Sequence, residues 1–474
     1  YHASPDFEQT HQAYVHELMS VNTTGTNFEN TTFRPSTIGE IYDDGKNTLF
    51  AEPFKYQAGE NGASGVQTAY SFKGWGLANE KGFIEDEANA TIYGLYSEIP
   101  ETAKASDGMV HLKAIWQQAT VIFVSDGDGD NANDGLSPTT PVKDLETAYS
   151  KISSSGTTST NIIVIMDQVE WNSSNKLTGN ATITSLYAGV DYKAQSAELK
   201  ISSNMEVNGD IEFDNIKLYS NSTSVSDGSD YVANGSYTNM LITNYGDVIL
   251  GRRISTPEGK YTFGAVIGGN YKTETTVGEI GAHSVIVEAG KYNDIIVGSS
   301  LTTRGQTTTV KYVSHHVLIG NMKDAAISRN DKLTITGYLS MGELEDRYYP
   351  YSTSGSQDTA NAYSRTYAIT EIYSGTFTGE NKFAKESEDA SVYLRAMNGF
   401  TEGKVQLDMY GGNITGNLYA GAKMATSHSD QETNILNFYG GSLTGNMFGH
   451  GAKDASTGGS NITLEGMFNI TGNI

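Results

Sequence analysis

The densest run of metal-type ligands in this sequence is Asp126-Gly127-Asp128-Gly129-Asp130-Asn131-Ala132-Asn133-Asp134. Hard carboxylate oxygens at alternate positions suit Ca²⁺. Asp126, Asp128, Asp130 and Asp134 are therefore the candidate ligands. The run departs from the EF-hand loop, because Asn131 stands where the turn glycine belongs and Ser137 where the bidentate Glu belongs. The competing reading is a solvated Asp/Asn/Gly turn.

The other chemistry-bearing groups are sparser. Arg252-Arg253 is an isolated basic pair at an expected strand end, read as a surface corner because no partner acids stand near it in sequence. Glu343, Glu345, Asp346 and Arg347 lie beside Tyr348, Tyr349 and Tyr351, a set able to meet a sugar through its aromatic faces or to form an exposed loop. His315-His316 are neighbours in an expected strand, so their rings point to opposite sides and do not chelate one ion. His11 and His16 are five apart, the wrong spacing for a helical ligand pair. No His-Glu-x-x-His, Gly-x-Ser-x-Gly, P-loop or dinucleotide fingerprint is present. No residue is assigned a catalytic or cofactor-binding role.

Composition narrows the class. The chain has no Cys, which excludes a disulfide scaffold, a zinc ribbon, an iron–sulfur centre and a cysteine nucleophile. A formal net charge of −24 argues against nucleic acid and anionic membranes as partners. No run of apolar residues is long enough to span a bilayer. Only 18% of residues are charged, and the polarity comes from Ser, Thr, Asn, 52 Gly and 29 Tyr. That mixture is too aromatic for disorder and suits an all-β extracellular protein. Tyr1, with no initiator Met or signal peptide, reads as a mature or trimmed start. The pattern broken at Asn473-Ile474 reads as a truncated C-terminus.

These groups need elements to position them. Residues 1–30 read as a short N-terminal helix and linker, with Ser4 as N-cap and Pro5 at N1. Residues 31–118 read as a small β-rich domain. It carries Tyr70-Ser71-Phe72-Lys73-Gly74-Trp75-Gly76, then Ala90-Thr91-Ile92-Tyr93-Gly94, then Val110-His111-Leu112-Lys113-Ala114-Ile115-Trp116. These stretches resemble the Listeria–Bacteroides repeat, the B-repeat of internalin-like bacterial surface proteins. That resemblance implies a β-grasp-like spacer or interaction module. The insert Ser97 to Gly108 departs from the family's short spacing. Trp75 and Trp116 are the expected core anchors.

From residue 119 the pattern changes. The apolar strand Val121-Ile122-Phe123-Val124 leads through the acidic loop to Ser137-Pro138 and Thr140-Pro141. A capping helix is expected over about 141–153, with Thr140 as N-cap and Leu145, Ala148, Tyr149 and Ile152 on one face. This order resembles the opening of right-handed parallel β-helix proteins, including pectate-lyase-like ones, whose first helix plugs the solenoid.

The later repeats are explicit. Val405-Gln406-Leu407-Asp408-Met409-Tyr410-Gly411-Gly412-Asn413-Ile414-Thr415-Gly416-Asn417 is echoed by Asn434-Ile435-Leu436-Asn437-Phe438-Tyr439-Gly440-Gly441-Ser442-Leu443-Thr444-Gly445-Asn446. A third copy ends in Asn469-Ile470-Thr471-Gly472-Asn473. Thr-Gly-Asn recurs at spacings of 29 and 27 residues, a period that means a solenoid. Leu407 and Met409 alternate with Asp408, and Leu436 and Phe438 with Asn437, as a wall with one dry face requires.

The expected fold is thus all-β: a right-handed parallel β-helix over 119–474, preceded by the β-grasp-like domain and the short helix. The expected role is a secreted or cell-surface bacterial adhesin or structural rod, non-catalytic, with a glycan or protein ligand or self-association. Its polar inserts at 351–361 and 424–431 would be loops on one side of the rod. The alternative is a polysaccharide lyase or glycoside hydrolase on the same fold. Such an enzyme needs carboxylates in register on neighbouring strands or an acid–Arg cluster. Asp408 aligning with Asn437 breaks any column of acids.

Overall fold

A computed structural model describes residues 110–474 apart from 155–160, 188–189, 221–238, 269–282, 298–312, 322–329, 341–362, 380–389, 395–399, 403–404, 422–433 and 450–459. Before residue 110 it describes only short pieces between 54 and 106. The expected N-terminal helix, His11, His16, the Glu343–Tyr351 cluster and both polar inserts lie outside the described residues.

The described residues group into two units, one reaching Val121 and one holding most of the chain beyond it. The first contains an antiparallel sheet. Its long strand Thr68–Leu77 pairs with Phe54–Tyr56, Ile92–Tyr93 and Leu112–Ala119. The three stretches that resemble the B-repeat are brought together here. Phe72 is the register partner of Trp116, and Trp75 that of Ala114.

The second unit is a parallel β-helix. Each coil contributes up to three strands, and each strand pairs in parallel with its counterparts in adjacent coils. The first wall runs through Ala181–Thr184, Ile211–Asp214, Val248–Leu250, His283–Val287, Val313–Ile319 and Tyr363–Ile372. It continues through Val405–Met409 into the starts of Asn434–Thr444 and Ser460–Ile470. The second strands are Gln168–Trp171, Glu198–Ile201 and Lys217–Ser220. From the start of Gly290–Ile296 onward they are Leu333–Ile335, Thr376–Phe377 and Asn413–Thr415. The third wall begins at Leu177–Thr178 and Met205–Asn208 and ends at Asn417–Tyr419 and Met447–Phe448.

Alternation along each strand decides what the coil encloses. Leu407, Met409, Leu436 and Phe438 are fully buried, in line with Val285, Val287, Val317 and Ile319 from earlier coils. The filling is aliphatic with aromatic inserts. Phe213 meets Phe263 edge-on at 5.7 Å, and Trp171 is buried with its Nε1–H donated to the Asn204 carbonyl at 2.9 Å. Burial of this apolar surface drives the winding. The backbone ladder satisfies the polar groups that the same burial removes from water.

The corners explain the Gly-Gly and Thr-Gly-Asn repeats. Gly441 has φ 97° and Gly445 φ 153°, conformations that L side chains avoid. A Cβ at Gly445 would stand 2.2 Å from the Gly416 carbonyl of the coil before it. The following Asn completes the corner. Asn417 Oδ1 accepts the Asn446 N–H at 2.8 Å, and Asn446 Oδ1 accepts the Asn473 N–H at 2.9 Å.

The plug differs from expectation at its start. Helix α1 (Leu145–Ser154) begins one turn late. Asp144, not Thr140, caps it by accepting the Thr147 N–H at 2.7 Å. Thr140 is occupied elsewhere, donating its hydroxyl to Asp134 at 2.9 Å, and the chain from Ser137 to Asp144 forms turns and bends. The apolar face is as expected: Leu145, Ala148, Tyr149 and Ile152 are all buried, and the helix packs against strands Gln168–Trp171 and Leu177–Thr178.

Candidate functional site on the coil walls

The acidic loop is organised around a residue outside it. Asp167, at the turn after the next wall strand, accepts from the Ser125 hydroxyl at 2.6 Å and from the Asp126 and Gly127 N–H groups at 2.9 and 3.0 Å. The loop backbone thus makes a small anion-binding concavity that an internal carboxylate fills. The loop's own acids serve turns. Asp130 accepts the Ala132 N–H at 2.9 Å. Asp134 accepts the Leu136 N–H at 3.0 Å and the Thr140 hydroxyl, and these two bonds, the Leu136 one foremost, hold its carboxyl below the usual range. Asp126 stands 3.8 Å from the Lys143 ammonium, both well exposed. Among the described residues no group of three or more His, Asp and Glu side chains converges as a metal ion requires.

Arg252-Arg253 is not isolated. The Arg253 guanidinium meets Asp214, 39 residues earlier, in a two-point contact, with Nε to Oδ1 at 3.0 Å and Nη2 on Oδ2. Lys193 donates to the Arg253 carbonyl at 2.7 Å. Glu288 accepts the Arg252 N–H at 3.1 Å and the Asn321 side-chain amide at 2.8 Å. Glu212 lies two residues before Asp214 on the same strand, accepting from the Thr182 hydroxyl at 3.1 Å. Desolvation, then repulsion from Asp214, pushes the Glu212 carboxyl up to about 7. The surface-corner reading of the arginines is corrected: Asp214 is buried and the guanidinium largely so.

A second polar set lies farther along the first wall. Glu371 and Asp408 are register partners on adjacent coils, and Asp408 in turn partners Asn437. Adjacent strands lie about 4.8 Å apart. Each carboxylate is held by side-chain donors. Glu371 meets His316 Nε2 at 3.2 Å and accepts the Tyr373 hydroxyl at 3.1 Å. Asp408 accepts from Gln406 at 2.8 Å and from Asn437 at 2.7 Å. The expected break at Asn437 is present, and the acid pair forms in the opposite direction.

The tyrosines use their faces on each other. Tyr373 and Tyr410 follow the ends of two successive wall strands, Tyr439 lies within the next, and the three stack at 4.9 and 5.0 Å, within 9° and 13° of parallel. Tyr393, Tyr419 and Phe448 form a second stack at 5.4 and 4.6 Å.

With fold and side-chain geometry in place, comparison adds no relative: no family model, no curated protein and no solved structure matches this chain.

Proposed function

We propose that this chain is the shaft of a secreted or cell-surface bacterial protein, a non-catalytic adhesin or structural rod that presents a glycan- or protein-binding surface. The supporting observation is the uninterrupted parallel ladder of the first wall, Ala181–Thr184 to Ser460–Ile470, around one dry core. Such a stack gives stiffness and slow unfolding, properties that suit projection rather than turnover. The antiparallel sheet that joins the B-repeat-like stretches supports an accompanying surface-protein module. Self-association of shafts is part of this reading. The test is binding of the full chain to a glycan array and to extracellular proteins. Silence on both removes the adhesin role.

One observation favours a second reading, a carbohydrate-active enzyme. Glu371 and Asp408 stand in register on neighbouring strands, the arrangement of paired carboxylates that a glycosidase needs. The Arg253–Asp214 contact, with Glu212 two residues away on the same strand, supports the acid–Arg arrangement of a lyase. Screening polysaccharides for new reducing ends and for ultraviolet-absorbing unsaturated ends, with and without Ca²⁺, separates the two. Activity that Glu371→Gln or Asp408→Asn abolishes would establish the enzyme.

A further inference from the structure

The second strands change character along the solenoid. In the early coils their outward positions are charged and paired across coils. Glu170 meets Lys200 at 2.9 Å, and Lys217 meets Glu198 at 2.5 Å. Such pairs are the usual way a solvent-facing sheet stays soluble. From Leu333–Ile335 onward the charges stop. One row reads Thr334, Thr376, Asn413, Ser442 and Asn469, each the register partner of the next. Two residues further along each strand, a second row reads Thr378, Thr415, Thr444 and Thr471. Along these rows the late coils carry hydroxyls and amides and no charge, flanked by Lys332 at the first coil and by the exposed Met467 at the last, in a chain with 55 acidic residues.

This surface is regular and held in place. Between the rows the inward Ile335, Phe377, Ile414 and Leu443 are buried and pin each strand. Ser442 Oγ and Asn413 Oδ1 hydrogen-bond across coils at 2.9 Å, and the Thr376 hydroxyl is anchored on the Asn330 carbonyl at 3.0 Å. Asn413, Thr415, Thr444, Asn469 and Thr471 are exposed. Strand spacing and strand rise set a grid of about 4.8 Å by roughly 6.6 Å. The exposed Asn413, Thr415, Thr444, Asn469 and Thr471 are side chains of types that both donate and accept.

We propose that this Thr/Asn/Ser wall is a docking face for an extended, uncharged, hydroxyl-rich polysaccharide lying along the coil axis. Such a polymer offers the same alternation of donors and acceptors at the spacing of a sugar ring. A flat periodic face suits a polymer, whereas a small ligand needs a concave site. Side chains already fixed by the wall lose little entropy on binding. Lacking charge, the contact is insensitive to salt. The inference rests on the glycan branch of the proposed function and names its face and ligand class.

The test is sedimentation of the full chain with insoluble cellulose and with insoluble chitin, at low and high salt, alongside Thr415→Lys/Thr444→Lys and a control, Lys200→Ala, on the charged stretch. Circular dichroism and unfolding midpoints establish that the exposed substitutions leave the fold intact. Salt-independent binding that falls at least tenfold in the double variant and is unchanged in the control is expected. Equal binding by the double variant overturns this face while leaving glycan recognition standing. Binding to neither polymer overturns the face. If the glycan array is silent as well, glycan recognition falls with it. Inhibition of ice recrystallisation without glycan binding also overturns the proposal, because ice is the other periodic hydroxylated surface such a grid could meet.

Discussion

Asn446 serves two coils at once: its backbone N–H is donated to the Asn417 side chain at 2.8 Å, and its own side-chain oxygen accepts the Asn473 N–H at 2.9 Å. The Thr-Gly-Asn repeat is therefore a hydrogen-bonded column and not a compositional habit. Asn446→Ala removes one acceptor and leaves the Asn473 N–H to water. The expected loss is about 1 kcal/mol, read as a lower midpoint in urea with an unchanged slope. No shift in midpoint would dismiss the column as incidental.

Gly445 and Gly259 separate two causes of glycine usage. Both have positive φ, but a Cβ at Gly445 would strike the Gly416 carbonyl, whereas one at Gly259 would meet nothing within 4 Å. Gly259→Ala should cost only about 1 kcal/mol of backbone strain. Gly445→Ala must also push two coils apart and should cost at least about twice as much. Comparable denaturation midpoints for the two variants would contradict close coil stacking at this corner.

The plug helix gives a third expectation. Asp144→Ala loses the cap on Thr147 and the contact with the Asn131 side-chain amide at 2.6 Å, for a cost of about 1–2 kcal/mol. Thr140→Ala loses hydroxyl bonds to Asp134 and Ser137, neither of them to the helix, and should cost less. The reverse order in thermal unfolding would restore Thr140 as the cap.

Glu212 predicts a pH dependence with a definite sign. Its carboxyl is raised from 4.5 to about 7 by burial and by Asp214. Between those values the folded chain holds more protons than the unfolded chain, so this group's contribution to stability falls as pH rises through the window. Below pH 4.5 both states are protonated and the penalty is absent. Above 7 it is complete, on the order of 3 kcal/mol for a shift of that size. Glu212→Gln should flatten that part of the stability–pH curve. An unchanged curve would place the titration elsewhere.

How much of this is legible in the sequence depends on range. The alternation of Leu407 and Met409 with Asp408, the buried face of α1 and the Gly-Gly corners are local patterns with one physical solution, and the parallel β-helix emerges from them. Pairings across coils are different. Asp214 meets Arg253 across 39 residues, and Glu371 meets Asp408 only because coils with inserts of unequal length return to one register. Counting residues does not reveal where an insert ends and the wall resumes. Asp167 escapes a sequence reading because it lies outside the acidic run it organises. Thr140 reads as the cap because Thr-Pro is a strong local signal, and it loses to Asp144 because Asp134 already engages its hydroxyl. The Thr/Asn/Ser wall is visible as Asn-Ile-Thr, Ser-Leu-Thr and Asn-Ile-Thr, but only register turns three tripeptides into a surface.

The Asn and Gly columns tie each lap to the next at fixed intervals, irrespective of what is spliced between them. Lap number is consequently a unit that can be added or removed. Excising residues 417–445 would bring Gly416 directly before Asn446, preserving Thr-Gly-Asn at the junction and shortening the shaft by one strand spacing, while every remaining partner keeps its place. Length and recognition can then vary independently in such a molecule, the first by whole laps and the second by what the walls display.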